Sequence, residues 1–294
     1  MRDFLQVLLV GIGDGAIYAM LGLGLVVIYR STGVLNFAQG ELAMFSTFLV
    51  WTIWDVGAPM WLAVLLGMVG GFIVGALVHE AFVRPVGDPH QKPLAVVIVT
   101  IGLFLGINGL AQVIWGATDK VLEPLFGSSQ ITIAGVAIQW QKIGAVASLA
   151  AVAFVFYILF QKTKLGLAMR AVASNSESAG LVGIPVLRLL MLGWGFAAAV
   201  GTLAGVLTAP SLGLSPRLMQ LTLIFAFAAI TLGGFDSLIG AIVGGLTVGI
   251  LSSTLPRYVS AFEKMPLAPA FILILLVLLI RPQGLFGSKD VSRV

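Results

Sequence analysis

The sequence lacks most of the side chains that enzymes and metal proteins use. It contains no cysteine, which excludes disulfides and thiol chemistry, and only two histidines, so a metal site is not expected. No Gly-Lys pair occurs, so a phosphate-binding P-loop is absent, and the GxSxG and HExxH motifs are missing too. We therefore expect no catalytic residue, metal or cofactor in this chain. If ATP drives its function, other subunits hydrolyse it.

Charged residues are also scarce. They make up 10% of the 294 residues, whereas soluble domains carry about 25%. Hydrophobic residues reach 59%, with a mean hydropathy of +1.09. The basic residues behind the net charge of +4 are scattered at the ends of apolar runs, which indicates membrane topology and no nucleic-acid partner. The sequence predicts an all-α, polytopic protein in a lipid bilayer, with one transmembrane domain over residues 1–294.

Apolar runs long enough to cross a bilayer recur along the chain, since a crossing needs about 20 residues. The candidate runs are 4–28, 33–54, 60–83, 93–115, 142–161, 189–210, 219–234, 238–255 and 266–281. The first is too long for a signal peptide and is expected to be a retained helix. The runs 33–54 and 219–234 are the weakest and are candidates for broken or re-entrant helices. We therefore predict about 8–9 transmembrane helices.

Lys and Arg residues suggest an orientation. With nine crossings and segment 162–188 in the cytoplasm, ten basic residues lie inside and six outside, as the positive-inside rule favours. The inner set is Arg30, Arg84, Lys92, Lys162, Lys164, Arg170, Arg188, Arg281, Lys289 and Arg293. The outer set is Arg2, Lys120, Lys142, Arg217, Arg257 and Lys264. The long outer segment 116–141 contains an alternating stretch, TIAGVAIQW, that predicts a short strand or hairpin.

Segment 162–188 is a water-compatible, helix-forming loop between two apolar runs. A first helical piece carries Arg170, and Ser174, Asn175, Ser176 and Glu177 then fit a capping box with Ser174 at the N-cap. Gly183, followed by Pro185, predicts the end of the second piece. Ala179, Leu181 and Val182 are apolar and have no lipid to cover them. A protein partner would bury them; the alternative is that the loop folds back on its own membrane domain.

Polar side chains within the second run are candidates for a substrate pathway. Glu41 stands inside an apolar run, where an ionisable group is costly and functional by default. Asn36 and Gln39 precede it, and Gln39-Gly40 is a place where the helix would loosen. The alternative is that Glu41 pairs with a neighbouring helix.

Three further polar residues lie in the fourth run. Asn108 and Gln112 are four apart and therefore share one helical face. They would either make an interhelical hydrogen bond or line the pathway, and Thr100 is a milder candidate. Farther along, Asp236-Ser237 would cap the helix that starts near Leu238.

Four blocks of this chain resemble one family of transport proteins. They are GVLNFAQGELAMFSTF at 33–48, the stretch from Arg84 to Gly116, LGGFDSLIGAIVGGL at 232–246 and IRPQGLFG at 280–287. In this order they resemble LivH-type permease subunits of branched-chain amino-acid ABC importers. The loop at 162–188 resembles the cytoplasmic coupling loop of such permeases. It departs from many members at Asn175 and Ser176, which stand where an acidic pair is common.

This resemblance also implies the other subunits of the transporter. It implies a second, homologous permease that shares the translocation path, two ATP-binding subunits and a periplasmic or extracellular substrate-binding protein, all at a bacterial cytoplasmic (inner) membrane. A permease of the same family for urea or short amides is an alternative. An ion-coupled secondary transporter and a channel are readings from other classes; both predict transport that persists without ATPase subunits.

Overall fold

The computed structural model describes residues 2–87, 89, 91–133 and 135–287. One of the two histidines, His90, lies outside these residues, as do Lys289 and Arg293 of the predicted inner set. The described part is mainly helical, with one short two-stranded hairpin, which confirms the predicted helical class. Its helices are α1 (Arg2–Thr32), α2 (Gln39–Asp55), α3 (Met60–Val78), α4 (Pro93–Trp115), α5 (Trp140–Lys162), α6 (Lys164–Ser174), α7 (Ser176–Leu181), α8 (Val186–Leu212), α9 (Gln220–Gly233), α10 (Leu238–Tyr258) and α11 (Ala268–Ile280).

Among the described residues, six helices are long and apolar enough to cross a membrane. They are α1, α3 with its continuation to Val86, α4, α5, α8 and α10. Helices α9 and α11 are apolar but have only 14 and 13 residues, and α2 has 17. At 1.5 Å per residue, α9 spans about 21 Å, less than the hydrocarbon core of about 30 Å. The number of crossings, eight or nine, therefore stays a prediction.

Helix α1 is the centre of the bundle. Its residues from Ala16 to Ile28 are buried, apart from the half-buried Tyr18, and α5, α8, α9 and α10 all pack against it. Helices α3, α4 and α11 lie at the periphery and expose large apolar side chains, such as Leu105 at 66% and Leu279 at 81%. Exposed leucines of this kind suit lipid or another membrane helix, not water.

Glycines let α1 and α10 touch along their backbones. A Cβ on Gly15 would lie 2.7 Å from the carbonyl oxygen of Gly245, and one on Gly249 would lie 2.3 Å from the Cα atom of Gly15. Close approach of this kind is how small residues hold membrane helices together, since lipid provides no hydrophobic drive between them. Gly15, Gly245 and Gly249 therefore have a packing role between α1 and α10.

The connecting segments gather at two ends of the bundle. At one, which we call the hairpin end, β1 (Gln130–Ile133) pairs antiparallel with β2 (Val136–Gln139), as predicted. At the same end Lys142 forms an ion pair with Asp14.

The other end, called the coupling-loop end, holds α6, α7 and residues 281–287. Here the backbone N–H groups of Leu285 and Phe286 donate to the carbonyl oxygens of Leu232 and Gly233 at 2.8 and 2.9 Å. Ser237 caps α10, since its hydroxyl accepts from the N–H of Gly240 at 3.0 Å. Two of the four family-like blocks thus contact each other.

Candidate functional site

The chain breaks before α2 inside the bundle. Residues 33–38 are not helical, although Val34, Asn36 and Ala38 are buried. The side-chain oxygen of Asn36 accepts from the N–H of Ala38 at 3.0 Å and turns the chain into the helix. The prediction that the helix loosens at Gln39-Gly40 is wrong, because α2 starts at Gln39 and the break precedes it. The same break shortens the predicted run 33–54.

Gln39 fills a slot between α1 and α8. Its side-chain nitrogen donates to the carbonyl oxygen of Ala197 at 2.9 Å. A Cβ on Gly24 would lie 2.8 Å from this nitrogen, and one on Gly201 would lie 3.2 Å from it. Two glycines therefore create the space that this amide occupies. The side-chain oxygen of Gln39 and the side-chain nitrogen of Asn36 are buried without a hydrogen-bond partner among the described residues.

Glu41 is the third residue of α2 and is 1% exposed. The side-chain nitrogen of Asn108 on α4 donates to its carboxylate at 3.0 Å and also reaches the carbonyl oxygen of Pro216 at 2.7 Å. The side chain of Gln220, at the start of α9, lies close enough to Glu41 to interact with it. The alternative interpretation was that Glu41 pairs with a neighbouring helix. The structure shows such a pairing, and the partners of the carboxylate are side-chain amides.

The first turns of two helices face the carboxylate of Glu41. It lies in the first turn of α2, and Gln220 places the start of α9 beside it. These two first turns touch, since a Cβ on Gly40 would lie 3.5 Å from the carbonyl oxygen of Met219. The positive end of a helix dipole stabilises a nearby anion. Two such ends and two amides explain why a carboxylate is tolerated here.

A polar chain leads from Glu41 to the surface of the subunit. Asn108 is half-buried, and its side-chain oxygen accepts from the exposed amide of Gln112 at 2.7 Å. Thr100 is fully buried on the same helix, but its hydroxyl donates to Val97 of α4 itself. The structure therefore brings Glu41, Asn108 and Gln112 together and leaves Thr100 outside their hydrogen bonds.

Sequence reasoning missed Gln220 and the carbonyl of Pro216. Both follow α8 and lie far from Glu41 along the chain. Gln220 lies near the start of the predicted run 219–234, three residues after Arg217, so its polarity looks like that of a loop boundary. Only the return of α9 towards α2 brings it to the carboxylate.

Helix α6 is anchored on the bundle. The hydroxyl of Thr163 accepts from the N–H of Gly166 at 3.1 Å and caps the helix. A Cβ on Gly166 would lie 2.3 Å from the carbonyl oxygen of Leu159, so α6 lies directly on the end of α5. Met169 and Val172 are buried on the same side. This half of the loop folds back on its own domain, as the alternative reading required.

The cap between α6 and α7 is one residue later than predicted. Ser174 ends α6, and Asn175 is the N-cap of α7, with its side-chain oxygen accepting from the N–H of Ser178 at 2.7 Å. The predicted capping box from Ser174 to Glu177 is therefore wrong. Asn175 is the N-cap because its short side chain reaches the N–H of Ser178, three residues later, as an N-cap residue does.

The predicted end of α7 at Gly183 is confirmed. Gly183 has a φ of 84°, a left-handed conformation that glycine adopts without strain. Its N–H donates to Gly180 at 3.0 Å, and that of Ile184 donates to Ala179 at 3.0 Å. This pair of bonds is a Schellman motif, which fixes the turn from α7 towards α8.

The tip of the loop exposes two of the three apolar residues singled out above. Leu181 is 87% exposed and Val182 76%, but Ala179 is only 4% exposed, so its predicted exposure is wrong. Ala179 faces inward because α7 packs on α6 and α8. Beside the tip, a surface cavity of about 740 Å³ is lined by Glu80, Arg84 and Arg188. Glu80 and Arg84 form an ion pair.

Replacement of Asn175 by alanine tests the position of this cap. We expect Asn175→Ala to destabilise α7 by about 1 kcal/mol, because the N–H of Ser178 loses its acceptor. Hydrogen exchange of the amides in 176–182 would show faster opening. The matched variant Ser174→Ala should leave this exchange unchanged. The reverse pattern would restore Ser174 as the cap.

The apolar helices form a bundle, polar residues are hydrogen-bonded inside it, and a helical loop is anchored at one end. These features define a polytopic membrane protein of the transport class. Residues 7–280 match the family described as "Branched-chain amino acid transport system / permease component". The chain therefore belongs to this family and is a multi-pass membrane protein. The family predicted from the four sequence blocks is confirmed.

Individual relatives agree with the family match. The chain is 31% identical to the high-affinity branched-chain amino acid transport system permease protein LivH of Salmonella typhimurium (strain LT2), over 99% of this chain and 98% of that protein. LivH of Escherichia coli (strain K12) shows the same identity and coverage. BraD of Pseudomonas aeruginosa, a permease protein of the same description, is 28% identical over 99% and 98%.

Proposed function

We propose that this chain is the permease subunit of an ATP-driven importer for branched-chain or related small amino acids in a bacterial cytoplasmic membrane. The observation that carries the proposal is the coupling loop. Its first helix packs on the bundle, and at its tip the side chains of Leu181 and Val182 are exposed. Movement of a partner docked on the tip would be transmitted through α6 to α1 and α5, and would bias alternating access.

The ATPase activity resides in partner subunits. The absence of a P-loop from the sequence supports this, since the chain has no loop of that kind to hold ATP phosphates. We propose two ATP-binding subunits, one homologous second permease and an external substrate-binding protein as partners. The chain itself forms one transmembrane domain with eight or nine crossings, and it binds no metal or cofactor.

The second permease would cover α4. Gln112 is exposed and Asn108 half-buried on a helix whose other outward residues are apolar. An amide that faces lipid costs free energy because hydrocarbon offers it no partner. A neighbouring permease that covers this face would satisfy the amide and enclose the other half of the pathway.

The polar cluster around Glu41 suits a zwitterionic substrate. Its carboxylate would attract the ammonium group of an amino acid, and the N-terminal turns of α2 and α9 would attract the carboxylate. Asn36 and Gln39 each contribute a buried amide atom that has no hydrogen-bond partner in the part of the chain that the structure describes. Asn108 and Gln112 extend the cluster towards the second permease, and Thr100 lies farther along α4. A small site of this kind fits an importer in which the binding protein sets most of the specificity.

Transport by the reconstituted complex tests this function. We expect proteoliposomes that contain the chain with its co-purified subunits to take up leucine only when ATP and the loaded binding protein are supplied. Unlabelled valine should compete, whereas urea and acetamide should not. Competition by urea or acetamide instead would assign the alternative substrate. Saturable uptake driven by an ion gradient without ATP would indicate a secondary transporter, and non-saturable flux would indicate a channel.

A further inference from the structure

A polar cavity opens at the coupling-loop end. It has a volume of about 580 Å³ and lies between the end of α1, helix α6, the α9–α10 turn and residues 281–287. Arg30 and Arg170 line it, together with Ser174, Asp236 and Gln283. Four parts of the fold meet there, and one of them is the coupling loop.

The cavity carries more positive than negative charge. Arg30 interacts electrostatically with both Arg170 and Asp236, and Asp236 has its own interactions. Two guanidinium groups thus face one carboxylate. Arg170 reaches Gln161 through one terminal nitrogen at 3.3 Å, but its Nε atom is buried with no hydrogen-bond partner among the described residues. A buried donor of this kind is costly unless a ligand accepts its hydrogen bond.

An apolar cleft adjoins the polar cavity. It has a volume of about 430 Å³, lies between α5 and α10 with Leu23 of α1 beneath, and shares Arg30 and Asp236 with the first cavity. Phe156, Phe160 and Ile242 line its walls. The cleft runs along the side of helices that are apolar enough to cross the membrane, so it faces lipid.

We propose that the two cavities together bind one anionic phospholipid. Its phosphate and head group would occupy the polar cavity on Arg30 and Arg170, and one acyl chain would lie in the cleft between α5 and α10. Basic pockets between membrane helices at the cytoplasmic face are suited to anionic head groups, because charge attraction and acyl burial act together. Free phosphate would use only the first cavity and leave the cleft without an occupant.

The position of this lipid has a consequence for coupling. It would contact α6, the end of α1 and the α9–α10 turn at the same time. A bound lipid therefore stabilises α6 against the bundle. The binding itself does not depend on the proposed substrate or on ATP, so its test is independent of the transport assay.

The test measures lipid retained by the full-length protein with any subunits that co-purify. Native mass spectrometry follows extraction from membranes containing equal amounts of phosphatidylglycerol and phosphatidylcholine. We expect phosphatidylglycerol to be retained at least about fivefold over phosphatidylcholine, and Arg170→Gln to bring this ratio close to one, since a charge-assisted hydrogen bond is lost. Arg188→Gln is the matched control, because Arg188 is an exposed arginine beside a different cavity; the preference should persist there.

A second variant tests the apolar half of the site. Ile242→Trp fills the cleft without a change in charge and should release the lipid even if Arg170→Gln fails to fold. Equal retention of both lipids by the wild type would overturn the proposal. So would a preference that survives both variants, or displacement of phosphatidylglycerol by millimolar inorganic phosphate alone, which would show a free-anion site.

Discussion

Simultaneous replacement of Leu181 and Val182 by aspartate is expected to lower uptake at least about tenfold, with an unchanged amount of protein in the membrane. Both side chains are largely exposed, so the substitution removes no packing within this chain. An apolar interface that covered them would have to bury two carboxylates, and a loss of 1.4 kcal/mol already weakens binding tenfold. Uptake, and ATPase subunit recovered with the permease, are the quantities to measure.

The matched control introduces the same charge at the opposite end. Val121 is 79% exposed near the hairpin end, and Val121→Asp should leave ATPase recovery intact. If the double aspartate variant recovers the same amount of ATPase subunit and transports normally, the tip of the loop is not a docking element. The proposed transmission through α6 would then have no support.

Hydropathy predicted most of the helices because they consist almost entirely of apolar residues. The predicted run 93–115 coincides with α4 (Pro93–Trp115), and 142–161 falls within α5 (Trp140–Lys162). Both helices are bounded by changes from apolar to polar residues that a single sequence shows. The hairpin was also predictable, since its alternation and Gly135 mark two strands and a turn.

Helix α2 was harder to predict because its boundary lies inside the bundle. Val34 and Ala38 are buried yet not helical, so hydrophobicity does not mark where the helix begins. The start is set by Asn36, whose side chain bonds the N–H of Ala38 in a local turn. A residue that reads as a candidate ligand thus also directs the backbone, and no periodicity distinguishes the two uses.

In the coupling loop, two neighbouring residues were equally plausible as the N-cap of α7. Ser174 and Asn175 are both good N-cap residues, so the sequence did not separate them, and the box pattern favoured the wrong one. Ala179 was misplaced because its burial depends on how α7 packs against α8, which is a tertiary contact. The terminating Gly183 was predictable, since its left-handed conformation is a local requirement.

The contacts of Glu41 are also tertiary contacts, which join residues far apart in the sequence. Sequence could nominate the carboxylate from its cost in an apolar run, and Asn108 and Gln112 from their shared face. It did not join them, because Asn108 is 67 residues away in the chain. Their roles in a substrate pathway stay predictions, and the hydrogen bonds themselves fit a purely structural cluster equally well. A functional test must therefore separate charge from packing.

Glu41→Gln provides that separation. Glutamine keeps the size of the side chain and an oxygen that accepts from Asn108, so we expect the free energy of unfolding to change by no more than about 1 kcal/mol. Uptake should fall at least about tenfold, because a neutral amide no longer attracts the substrate ammonium through a charge-assisted bond. Thermal unfolding in detergent and initial uptake rates at several substrate concentrations are the measurements.

Asn108→Ala is the contrasting variant. It keeps the carboxylate but removes a donor that holds it, so stability should fall by about 1–3 kcal/mol. If the charge of Glu41 binds substrate, Glu41→Gln must lower uptake more than Asn108→Ala does, although it destabilises the protein less. Wild-type uptake kinetics in Glu41→Gln would assign Glu41 to helix packing. The pathway would then have to be sought around Gln112, where the proposed second permease would cover α4.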